Sequence, residues 1–156
     1  MKRVFVVHGW GSHPGKNWFP WLKQELEKQG YAVHTPRMPS PFLPNRHAWV
    51  RTLAEAVGTP DENTYFIGHS LGSTTILLYL QQTKIDVGGV ICVAPWTEFR
   101  KKSWFDKLIL GTWRTARLAV TMLHDTVYSI ITILSDNDPV IPIHTAKTCK
   151  KLGDVI

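Results

Sequence analysis

Thr64-Tyr65-Phe66-Ile67-Gly68-His69-Ser70-Leu71-Gly72 is the stretch that sets the architecture. Thr64 to Ile67 is a short apolar run of β-favouring residues, as a buried strand shows. From Leu71 to Gln82 the apolar positions Thr75, Leu78 and Tyr79 fall at helical spacing. Between strand and helix lies a Gly-x-Ser-x-Gly pentapeptide, residues 68–72. A nucleophile placed there sits on a very tight strand-to-helix turn, so its hydroxyl projects while the flanking glycines allow close backbone approach. Composition alone puts this pentapeptide in about one chain in twenty of this length, so the strand before it and the helix after it carry the inference.

Working outward, the same alternation repeats. Val4 to Val7 reads as a first buried strand, Trp18 to Gln29 as a helix closed by Gly30, and Tyr31 to His34 as a second strand. Residues 35–45 contain Pro36, Pro39, Pro41 and Pro44 and cannot be regular structure. A helix over about Ala48 to Val57 follows. Beyond the pentapeptide, Val90 to Val93 and Tyr128 to Leu134 read as strands four and five, Ile143 to Leu152 as a helix, and Asp154 to Ile156 as the start of a sixth strand. Strands alternating with helices imply right-handed crossovers and a doubly wound, mostly parallel five- to six-stranded α/β sheet. Residues 1–156 are expected to form a single domain. Pro95 to Asp125 is too long for a simple connection and is expected to form a small cap or helical insertion.

Two further segments carry chemistry. Val7-His8-Gly9-Trp10-Gly11 directly follows strand one. Acyl transfer needs two backbone N–H donors aimed at the developing oxyanion. Leu71, the residue after the serine, supplies one, and Trp10 is placed for the other. At the end of strand five stands Ser135-Asp136-Asn137-Asp138-Pro139-Val140-Ile141-Pro142. An acid there can orient an imidazole and stabilise its protonated form. Asp138 is the candidate, with Asp136 as its rival or as a turn cap. The order serine, acid, then histidine is that of strand–helix hydrolases.

With 44% hydrophobic and 19% charged residues the chain can build a core. Cys92 and Cys149 have no paired spacing, which suits a reducing compartment and a cytoplasmic location. The apolar run after Met1-Lys2-Arg3 is too short for a signal peptide, and Leu118 to Leu134 is interrupted by His124 and Asp125, so no membrane span is expected. The net charge of +6 is concentrated at Arg100, Lys101, Lys102, Lys107, Arg114 and Arg117. With no nucleic-acid motif beside it, this cluster reads as a solvated helical face.

These segments together resemble the α/β hydrolases, and more narrowly the small single-domain serine hydrolases typified by retinoblastoma-binding protein nine. The matching residues are Val6 to Trp10, Trp18 and Trp21, Asn45 to Trp49, Gly68 to Gly72, and Ser135 to Pro142. The resemblance implies esterase activity on a small-molecule ester, with Ser70 attacking, Asp138 holding a histidine, and the Trp10 and Leu71 amides binding the oxyanion. It implies no cofactor and no metal.

The resemblance also places the triad histidine after the sixth strand. None of His8, His13, His34, His47, His69, His124 and His144 stands there. His144 is nearest in sequence to Asp138 but reaches the site only by an unusual loop path. A truncated, frameshifted or partial version of a longer chain is therefore expected. Two other functions stay open at this point. One is a catalytically impaired binding or scaffold protein on the same fold, and the other is a different reaction such as a lyase or perhydrolase. Trp10, Trp18, Trp96, Trp104 and Trp113 hint at an apolar pocket, although large aromatics more often build the core.

Overall fold

The computed structural model describes residues 1–96, 111–113, 118, 123, 127–138, 149–151 and 153–156. Six strands in these residues form one sheet in which every neighbouring pair is parallel. The strands are β1 (Arg3–Val7), β2 (Ala32–His34), β3 (Thr64–His69), β4 (Gly89–Val93), β5 (Ile130–Ile133) and β6 (Asp154–Val155). The helices are α1 (Phe19–Lys28), α2 (Arg46–Val57) and α3 (Leu71–Thr83).

Strand order is β2-β1-β3-β4-β5-β6. The chain therefore leaves β1 in one direction to reach β2, then returns to place β3 on its other side. Such a reversal opens a crevice beyond the carboxyl ends of the two central strands, where open α/β sheets bind their ligands. Here those strands are β1 and β3, and the residues just past them are His8 to Gly11 and Ser70.

Period-two alternation explains why the β1 run is apolar throughout. Phe5 and Val7 join α2, α3, Phe66, Val90 and Ile130 in one core cluster. Val4 and Val6 join Phe19 and Val33 in a second cluster on the opposite face, packed by Leu22 and Leu26 of α1. A strand covered on both faces has no polar side to present. Helix α3 is the most deeply set element, with every residue from Leu71 to Leu80 buried.

Several element ends differ from the sequence expectation for local reasons. Helix α2 begins two residues early because the Asn45 side chain accepts from the Ala48 N–H at 3.1 Å, an N-cap the apolar spacing does not reveal. Strand β3 runs on through Gly68 and His69, paired with Cys92 and Val93. Strand β5 starts at Ile130 rather than Tyr128, whose ring is exposed. The expected helix over Ile143 to Leu152 and most of the expected cap over 95–125 lie outside the described residues, as does the Arg100 to Arg117 basic cluster. No helix among the described residues is long and apolar enough to cross a membrane. Cys92 and Cys149 are both free and fully buried, and burial pushes their thiols up to about 12 and about 11.

Candidate active site

The turn between β3 and α3 is strained at its centre. Ser70 has φ 52° and ψ −119°, a backbone conformation that side-chain-bearing residues avoid. Such a residue costs about 1–3 kcal/mol and persists only where its surroundings over-determine it. They do so here. The Ser70 N–H donates to Val93 O at 2.9 Å, and its carbonyl accepts from the Ser73 N–H at 3.1 Å. A Cβ on Gly68 would stand 2.5 Å from Ser73 Cα, and one on Gly72 would collide with Val7 O. Both flanking positions of the pentapeptide therefore exclude any side chain. Although Ser70 is the N-cap residue of α3, its side chain makes no capping bond. The hydroxyl is left for other chemistry at the positive end of a helix dipole.

The loop after β1 lies directly against this turn. A Cβ on Gly9 would come within 3.0 Å of Ser70 Cβ and 3.1 Å of His69 Nδ1. The Trp10 and Leu71 N–H groups have no acceptor among the described residues. Leu71 is the first residue of α3, whose opening N–H groups are left over by helix geometry.

His8 holds this loop in place, a role sequence reasoning missed. Its ring is buried, and Nδ1 lies 2.9 Å from Gly9 O while Nε2 accepts the Met38 N–H at 3.1 Å. Both contacts are satisfied together only by the neutral tautomer with the proton on Nδ1. Burial is the main cause holding its pKa below 6.5, with His13 and Arg37 adding to it and the Gly9 carbonyl opposing. His69 is also held below 6.5, first by burial, with Asp138 acting in the opposite sense. Its Nδ1 is buried without a partner, and its ring meets those of Trp18 and Phe19 edge-on.

The acid loop is placed by the sheet. Because β3 and β5 are parallel members of one sheet, Ser70 and Asp138 leave it at the same end. Asp138 is partly buried, whereas Asp136 is exposed. Ser135 and Asn137 close the turn between them, with Oγ to Oδ1 at 2.6 Å. The candidates Ser70, Leu71, Trp10 and Asp138 thus all emerge at the carboxyl edge. None of His8, His13, His34, His47 and His69 is hydrogen-bonded to Ser70. His124 and His144 lie outside the described residues. No cluster of His, Cys, Asp or Glu among the described residues could hold a metal ion. A cleft of about 270 Å³ lies elsewhere, on the α1 face between Leu26, Tyr31, Tyr65, Gly89 and Ile131.

A family model described as serine hydrolase matches residues 4–154. The chain belongs to the serine hydrolase family, within the α/β-hydrolase superfamily. It is 30% identical over 149 residues to YdeN of Bacillus subtilis (strain 168), covering 94% of this chain and 76% of YdeN. The crystal structure of the ydeN gene product superposes with a TM-score of 0.89 at 25% identity, over 99% of this chain and 83% of that one. Two more distant structures share the fold. Est1E from Butyrivibrio proteoclasticus has a TM-score of 0.75 at 14% identity, over 99% of this chain and 76% of its own. A monoacylglycerol lipase from Paleococcus ferrophilus has a TM-score of 0.76 at 15% identity, over 99% and 82%. The chain is a hydrolase by this membership.

Proposed function

We propose that this serine hydrolase cleaves small carboxylic esters through an acyl-enzyme on Ser70. The observation that carries the proposal is the Ser70 backbone. Strain of that kind, held by flanking glycines and a buried helix, serves no packing purpose and frees a hydroxyl from capping duty. In the reaction, Ser70 Oγ attacks the carbonyl carbon as an imidazole takes its proton. The Trp10 and Leu71 N–H groups receive the oxyanion. Collapse of the tetrahedral intermediate expels the alcohol, which takes its proton from the imidazolium, and water then releases the acid by the same route. Asp138 holds the imidazole and stabilises its charged form. The resemblance to the α/β hydrolases assigns that imidazole to a histidine following β6. None of the described histidines is hydrogen-bonded to Ser70, so the expected rate is the residual one that an oxyanion hole and binding sustain.

Hydrolysis of a short-chain nitrophenyl ester tests this. The rate should exceed that of a Ser70→Ala control. Added imidazole should raise the Ser70-dependent part by about tenfold or more, as a supplied general base would. Equal rates for the two chains, with and without imidazole, would favour a binding or scaffold protein on the same fold.

A further inference from the structure

Beside Ser70 the described surface carries a group of large apolar side chains that packing does not explain. Trp10 is 41% exposed, Phe42 70% and Leu43 61%. They are not loose. The Trp10 indole N–H donates to Phe42 O at 3.1 Å, the Gly11 N–H to Pro41 O at 2.9 Å and the Leu43 N–H to Ser40 O at 2.9 Å. The loop after β1 and the proline-rich loop are thereby knitted into one unit. Trp96 borders the unit from the other side. Its ring centroid is 6.2 Å from that of Trp10, with the planes at 41°. Trp96 is tied to the strained turn itself, because its N–H reaches Ser70 O at 3.5 Å and its carbonyl accepts from Thr74 Oγ1 at 2.7 Å.

Trp96 is half-buried and packs against the core, so it is an anchored wall. Trp10, Phe42 and Leu43 next to it present fixed apolar surface to water, which costs solubility, so a ligand is the natural cover. The spacing says how it would lie. A flat ring inserted between two others needs about 7 Å, twice the contact distance of about 3.5 Å. At 6.2 Å and 41° the two indoles leave no such slot. They meet at an angle, so a ligand ring is accommodated against the exposed Trp10 indole and the Trp96 edge, in the offset or edge-on geometry aromatic pairs prefer.

We propose that Trp10, Phe42, Leu43 and Trp96 form a platform that selects esters carrying an aromatic ring. The Trp10 residue then has two separate tasks, its amide for the oxyanion and its indole for the substrate's apolar part. This inference rests on Ser70 being the reacting residue, since the platform is defined by its closeness to that turn. The ring sits on either the acyl or the alcohol side of the ester.

Binding to the Ser70→Ala variant tests the platform without requiring turnover. Phenyl acetate, methyl benzoate and methyl acetate are titrated by ligand-observed saturation-transfer NMR, with circular dichroism confirming the fold of each variant. The platform predicts at least one ring-bearing ester binding about tenfold or more tighter than methyl acetate. Whichever of the two does so identifies the side that carries the ring. Trp10→Ser and Trp96→Ser, added singly, should each weaken that ester about fivefold, as the loss of an aromatic pair does. Trp21→Ser, at an exposed indole on α1, should leave it unchanged. Equal binding of all three esters would overturn the proposal, as would losses at Trp10 and Trp96 no larger than at Trp21. A chain that binds rings by these tryptophans yet shows no Ser70-dependent hydrolysis would refute the catalytic proposal alone.

Discussion

At the amino end of β1 the Arg3 guanidinium donates to Val57 O at 3.0 Å, Thr59 O at 2.8 Å and Thr64 Oγ1 at 2.9 Å, with Asp61 close by at 3.9 Å. One side chain thus ties the first strand to the end of α2 and the start of β3. At the carboxyl end of the same two strands Ser70 is strained, and Ser12 Oγ and His69 Nδ1 are buried without partners. The Trp10 and Leu71 amides have no acceptor among the described residues there. One end of the two strands is closed by a single side chain's hydrogen bonds, whereas the other carries a strained turn with unpaired groups around the candidate nucleophile. Ser73 Oγ, Tyr79 Oη and Thr132 Oγ1 are also buried without partners, so the contrast is sharpest at the turn itself. An unpaired buried polar group costs about 1–3 kcal/mol, so the difference between the two ends is one the fold must sustain.

Four substitutions or conditions break or sharpen that contrast. The largest effect is expected from Gly72→Ala, because the added methyl meets Val7 O, the last carbonyl of β1, and, at 2.6 Å, His8 O in the loop that follows. A loss of about 3 kcal/mol should appear as a lower urea midpoint. At the other end, Arg3→Met removes three hydrogen bonds and should cost about 2 kcal/mol in the same measurement, with Ser70-dependent hydrolysis retained. Ser70→Gly is expected to act in the opposite direction. Glycine adopts positive φ without penalty, so stability should rise by about 1 kcal/mol while hydrolysis disappears. A fall in stability instead would mean that the turn is not strained.

The smallest effect is one of pH. His8 and His69 are both held below 6.5 in the folded chain, chiefly by burial. As pH falls through 6.5 the unfolded chain takes up protons at these positions and the folded chain does not, so their contribution to stability is present above that pH and is lost on acidification toward the folded values. The thermal midpoint should therefore drop between pH 7.5 and pH 5.5, with a shallower slope in His8→Gln. An unchanged slope would separate His8 from the acid sensitivity.

Much of this was legible in the sequence because it depends on spacing. A buried strand, two glycines around a serine and a helical pattern define the strained turn without coordinates. The doubly wound parallel sheet follows from strands alternating with helices, and β1 reads as a buried strand because Val4 to Val7 is apolar throughout, whereas the strand order comes only from the structure. What stayed hidden depends on contacts distant in sequence. Nothing in Val7-His8-Gly9 says that His8 takes the Met38 N–H from a loop thirty positions away. The tryptophans were ambiguous for the same reason. Trp49 and Trp113 are fully buried, with Trp113 donating to Pro44 O, whereas Trp10 faces water. Composition cannot tell a core indole from a surface one, and only the loop pairing between residues 10–11 and 41–42 separates them.

The most direct measurement of the central claim is the site of covalent attack. The chain is treated with a fluorophosphonate in the presence of imidazole, digested, and its peptides are mapped by mass. A nucleophile on the strained turn predicts one adduct, on the peptide containing Ser70, which vanishes in Ser70→Ala and persists in Arg3→Met. Labelling that settles on another residue, or that survives in Ser70→Ala, would contradict it.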